Sequence, residues 1–142
     1  MDLKNQIQNR EIKYRGLTSN GNWVCGNLIQ GKNGACYICS INENPVYKNG
    51  DYWYIDSPCY VVIPETVGQF TGLKNQNGEE VYEGDVLELN NCGLLIVCFY
   101  KGEFKLQKLA EYHKKRNLYA SISYLEFSVL RGNIYENPNL LQ

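Results

Sequence analysis

The chain has 142 residues, with 14 basic and 15 acidic side chains and a formal net charge of −1. That length suits one domain or two small subdomains sharing a core. The near balance of charge removes the electrostatic case for a dedicated nucleic-acid binder or a membrane-surface protein. No window approaches the ~18 apolar residues of a membrane-spanning helix. The opening residues Met1–Arg10 hold no apolar stretch of the signal-peptide kind. The expected location is the cytoplasm, with no membrane contact. In that reducing compartment the six cysteines are expected to be free thiols.

Residues 1–9 are polar and read as a disordered tail. Beyond them the punctuation is Asn-Gly, at Asn20-Gly21, Asn33-Gly34, Asn49-Gly50 and Asn77-Gly78. Asn and Gly both tolerate positive φ, so this dipeptide predicts two-residue type I′ hairpins. The runs between these turns are aromatic and β-branched, and predict strands over Glu11–Arg15, Asn22–Ile29, Ala35–Ile41, Tyr52–Ile55, Tyr60–Ile63 and Thr66–Phe70. Aromatics make up 13% of the chain, mostly tyrosine, which fits half-buried sheet positions.

Further on, Asp85–Leu89 reads as a strand, and Leu94–Tyr100 as a continuous apolar run, of the kind covered on both faces or crossing from one core to another. Glu103–Gln107 alternates, with Phe104 and Leu106 inward. Lys108–Asn117 has loose helical spacing and a basic end. Asn137-Pro138 suits the start of a last helical turn. A Gly-Asp start, a hairpin and a third alternating strand give Glu83–Gln107 the order of an SH3-like barrel core. The expected fold is mostly β: antiparallel hairpins packed on an SH3-like, partly open β-barrel, with at most one or two short helices. The expected division is residues 10–66, an N-terminal hairpin subdomain, and 67–142, the barrel-like one.

Four constellations bear on chemistry. Glu79, Glu80, Glu83 and Asp85 form an acidic cluster. A catalytic pair would need a cleft and a metal would need three or more converging oxygens. The favoured role is a solvated turn in which Asp85 accepts backbone N–H groups. Cys36-Tyr-Ile-Cys39 is a CxxC, but residues three apart on a strand face opposite ways, so no metal is expected there. Gly68-Gln-Phe-Thr-Gly72-Leu-Lys74 lacks the spacing of a phosphate loop. Lys105, Lys108, Lys114, Lys115 and Arg116, together with Lys101, make a basic patch with Tyr100, Phe104, Tyr112 and Tyr119 interleaved, a candidate for stacking on unpaired bases. His113 in this stretch lacks a nucleophile or carboxylate at a recognisable spacing.

Tyr52, Trp53 and Tyr54 present aromatics to both faces of one short strand, which marks them as candidate interaction residues. With Leu94–Tyr100 they leave more apolar surface than a small core can take up, so a homo-oligomer is expected.

Val67–Leu89, with its glycines, acids and aromatics at fixed spacings, combines with Arg10–Gly16 and Val129–Leu141 into a fingerprint that resembles the YopX family of phage and prophage proteins. The resemblance implies a phage setting and host or phage proteins as partners, and brings no catalytic role. Its fingerprint positions are Gly68, Gly72, Gly84, Asp85, Gly132 and Asn133. The chain is therefore expected to be a non-enzymatic, cofactor-free interaction module, with nucleic-acid binding through Lys101–Arg116 as the alternative.

Overall fold

The structure is a computed structural model that describes residues 11–40, 46–50, 52–55 and 58–142, with backbone only at 46–49 and 52–55. The chain forms two units, Met1–Gln69 and Phe70–Gln142. The division falls three residues beyond the one expected from sequence, within a strand.

In the first unit β1 (Tyr14–Leu17), β2 (Trp23–Gln30), β3 (Cys36–Cys39) and β6 (Cys59–Val62) form an antiparallel sheet in the order β6-β3-β2-β1. β4 (Val46–Asn49) and β5 (Tyr52–Ile55) make a separate hairpin. Period-two alternation sends Val24, Leu28, Cys36, Ile38 and Val62 to one face, where Ile38 is fully buried. The sheet curls strongly. A Cβ on Gly16 would come within 2.9 Å of Val62, so glycine is what lets β1 approach β6 across the interior. The end of β1 meets the residue after β6 at one point, where the Ile63 N–H donates to the Leu17 carbonyl at 2.8 Å. Thr66, buried, ties this point from below: its Oγ1 accepts from Leu17 N–H at 2.9 Å and donates to the Ile63 carbonyl at 2.6 Å. The expected strand Thr66–Phe70 is accordingly displaced. Pro64–Thr66 is a 3-10 turn, and the strand that follows, β7, runs Gly68–Lys74.

In the second unit β9 (Asp85–Leu89), β10 (Gly93–Tyr100), β11 (Glu103–Lys108), β12 (Ala120–Ser121) and β13 (Val129–Asn133) form an antiparallel sheet in the order β12-β11-β10-β9-β13. β8 (Glu80–Tyr82) pairs with the later part of β7. Leu87, Leu95, Val97 and Leu106 share one face and pack with Val81 and Leu125 into a core that excludes water. Each such side chain contributes about 1.5–3 kcal/mol by burial. Leu125 is carried by a 3-10 segment, Ile122–Phe127, which is closed by buried Ser128 donating to the Leu125 carbonyl at 2.6 Å.

The apolar run Leu94–Tyr100 is covered on both faces, but only in its middle. Ile96 is buried on the face opposite the core, beside Gln107, whose Nε2 donates to the Arg116 carbonyl at 2.8 Å. The short helix α1 (Leu109–His113) packs against β10 and β11. Phe99, farther along, is half exposed. This strand therefore does not require a second subunit.

The Asn-Gly turns close hairpins by a different geometry from the one expected. Gly21, Gly34 and Gly78 have φ near +80°, while Asn20, Asn33 and Asn77 keep negative φ. These loops are longer than two residues and use the glycine alone in the left-handed region. Among the described residues, Lys101-Gly102 is a two-residue turn with both residues at positive φ.

Candidate interaction sites

The fingerprint residues of the second unit converge. Asp85 on β9 lies opposite Asn133 on β13. Asp85, buried, accepts the Tyr82 N–H at 2.8 Å through Oδ2. Asn133 Oδ1 accepts from Tyr135 N–H at 3.0 Å and Glu136 N–H at 2.9 Å. Gly84, at φ 91°, carries no Cβ where the Tyr135 ring lies, and its N–H donates to the Val97 carbonyl at 2.9 Å. A Cβ on Gly132 would collide with the Asn137 carboxamide. Gly68 is buried in β7 opposite Arg15. Gly72 lies in the irregular stretch of β7 between its two paired positions. Asp85, Asn133 and Gly84 thus tie turn backbone to turn backbone.

The other acids are spread over separate partners. Glu79 Oε1 accepts from Asn75 Nδ2 at 3.0 Å, and Glu80 Oε2 from the Tyr82 hydroxyl at 3.4 Å. Among the described residues no three His, Cys, Asp or Glu side chains are arranged to hold a metal ion.

The basic stretch surrounds an aromatic pair. The rings of Tyr100 and Tyr119 stack at 4.5 Å, with Lys101 Nζ 5.5 Å from the Tyr100 ring. Cavities of about 230 and 270 Å³ flank Tyr119 and Ala120, the first bounded by Lys108 and Glu111 and the second by Lys105 and Glu103. Lys105 pairs with Glu103 at 2.8 Å, and this bond raises its pKa. Arg116 lies 3.9 Å from Glu111. Lys114 and Lys115 are exposed beyond α1, and Lys115 adopts positive φ. Cys98 stands opposite Lys105, and its thiol donates to the Lys105 carbonyl at 3.4 Å. Burial, with the negative Glu83 as a smaller cause, pushes this thiol up to about 11. Cys98 is thus a poor nucleophile at neutral pH.

The expectation of free thiols throughout is overturned at one pair: Cys39 and Cys59 form a disulfide. They are direct cross-strand partners on β3 and β6, with Cα atoms 4.1 Å apart. Only the pairing of two strands 20 residues apart brings them together. Cys36, as its opposite facing required, points instead into the core.

The outer face of the first unit carries a row that sequence reasoning missed. Ile29 pairs with Tyr37, and Tyr37 with Val61, so three apolar side chains lie abreast across β2, β3 and β6. Ile29 is 50% and Val61 65% exposed. At the other end of β2, Arg15 stacks over Trp23, 4.8 Å from the ring centre. Each residue of the row looks ordinary in its own strand, and only the register shows that they are neighbours. Tyr52, Trp53 and Tyr54 do lie on β5, opposite Asn49, Lys48 and Tyr47 of β4. Their side chains lie outside the described residues.

β6 also has an open side. The Ser40 N–H donates to the Pro58 carbonyl, so the next pairs toward the strand's C-terminus alternate and the Tyr37–Val61 pair is not hydrogen-bonded. The main-chain N–H and C=O of Val61 therefore point away from β3. They face a wedge of about 270 Å³ bounded by the Thr18–Asn22 turn, Val24 and Tyr60.

Fold and surface together define a mostly β, two-unit protein whose exposed features are apolar rows and aromatic clefts. The chain belongs to the YopX family: the family model, described as YopX protein, matches residues 11–142. Among solved structures it is similar to the crystal structure of protein EF1440 from Enterococcus faecalis, with a TM-score of 0.61 and 22% identity over 93% of this chain and 99% of that one. This likeness shows the fold alone. No curated protein matches the chain.

Proposed function

We propose that this chain is a phage or prophage accessory protein that works in the host cytoplasm without catalysis, by binding other polypeptide chains, beginning with copies of itself. The observation that carries the reading is the Ile29–Tyr37–Val61 row, an aligned apolar strip left exposed on a sheet face. Isolated exposed apolar residues are ordinary, whereas a contiguous row marks a contact surface. A two-fold axis through such a row would set the same residues of two copies against each other. Sedimentation velocity across micromolar concentrations tests it. The wild type should associate as concentration rises, and Val61→Lys should remain monomeric with unchanged thermal unfolding. A wild type that stays monomeric overturns self-association.

A second reading rests on a separate observation, the Tyr100–Tyr119 stack beneath Lys101 and within the basic stretch. Aromatic platforms of this kind stack on unpaired bases. Gel shifts with single-stranded oligonucleotides at two salt concentrations test it, since phosphate contacts must weaken with salt.

A further inference from the structure

β6 offers a contact that side chains do not make. Edge strands are normally blunted by charge or by proline, because an open row of N–H and C=O groups is a template for another strand. Cys59-Tyr-Val-Val62 carries neither within the strand, and prolines stand only outside it, at Pro58 and Pro64. The curl of the sheet closes one end of the strand's outer side, where Ile63 meets Leu17, and leaves the wedge open beside Val61. Tyr60 belongs to the inward-facing set of β6, yet is 43% exposed because no further strand covers it among the described residues. The wedge, at about 270 Å³, is smaller than a typical small-molecule pocket of ~300–1,000 Å³ and suits one side chain entering with a stretch of main chain.

We propose that this wedge takes an extended segment of another polypeptide, its main chain paired with Val61 and one apolar side chain set between Tyr60 and Val24. The proposal rests on the reading of the protein as an interaction module and names the partner's form, an added β-strand. Main-chain pairing supplies affinity in such complexes, and the pocket for alternate side chains supplies selectivity. The hydroxyl and amide side chains of Ser19 and Asn20 stand on the far wall, where they can meet the segment's other main-chain edge.

The probe is a capped octapeptide alternating threonine and valine, titrated into the isotope-labelled full chain and followed by amide NMR. Saturable shifts are expected at Tyr60, Val61 and the Thr18–Asn22 turn, with slower hydrogen exchange at the Val61 amide. The same peptide N-methylated at alternate residues should not bind. Ser19→Trp, which fills the wedge from the exposed turn, should weaken binding roughly tenfold or more, and Asn20→Trp serves if that variant unfolds. No saturable shift up to millimolar peptide, or equal binding of the N-methylated peptide, overturns the proposal. Concentration-dependent shifts without peptide at the Thr18–Asn22 turn, which holds no residue of the outer row, overturn it in favour of a second copy in the wedge. Ser19→Trp replaces none of the three outer-row residues, whose side chains lie on the sheet's outer face, so it should still self-associate. Loss of peptide binding alone then separates failure of the wedge from failure of the module.

Discussion

Asp85 and Asn133 face each other across the β9–β13 ladder, 48 positions apart in sequence, and each accepts backbone N–H groups of its own turn. Both side chains are buried. Removing either leaves buried donors without an acceptor, at a cost of about 1–3 kcal/mol. Asp85→Ala and Asn133→Ala should each shift the urea midpoint by that amount with an unchanged slope. A stable Asp85→Ala protein would show that this carboxylate does not brace the turn.

Thr66 bridges Leu17 and Ile63, the point where β1 and the end of β6 meet. Thr66→Val keeps the shape and removes both bonds, for a loss of about 1–2 kcal/mol. Amide exchange should accelerate at Leu17 and Ile63 before it does in the second unit.

The Cys39–Cys59 bond closes a loop across a sequence separation of 20. A loop of that length contributes about 3 kcal/mol by restricting the unfolded chain. Oxidised protein should be lighter by two hydrogens in intact mass, and reduction should lower the unfolding midpoint. The strand pairing of β3 and β6 remains in the reduced form, so the fold should persist. If the mass is unaltered by reductant after purification without it, the two cysteines are thiols in that preparation.

Cys98 is protonated at neutral pH, because burial and Glu83 raise its thiol from 9.0 to about 11. The folded state holds this proton more tightly than the unfolded chain does. Its contribution to stability is therefore complete below pH 9 and is lost as pH rises toward 11. Alkylation at pH 8 should reach exposed Cys92 well before Cys98. In Cys98→Ser the decline in stability between pH 9 and 11 should be shallower.

Much of this fold is local and so stands in the sequence. Glycines at the turns place the hairpins, alternation in Glu103–Gln107 places Leu106 in the core, and Gly84-Asp85 announces a braced strand start. The run Leu94–Tyr100 stands out for its lack of polar alternation, but which of its residues are covered, Ile96 among them, follows only from the packed structure. What tertiary structure alone decided is register between strands distant in sequence. The Cys39–Cys59 bond, the Asp85–Asn133 pair and the Ile29–Tyr37–Val61 row each depend on which residue stands opposite which. A shift of one residue would turn every side chain of a strand to the other face, and spacing along one strand carries no record of its partner's alignment. The open wedge beside Val61 is a step further removed. It exists because Gly16 lets the sheet curl until Leu17 meets Ile63, and because the curl stops there.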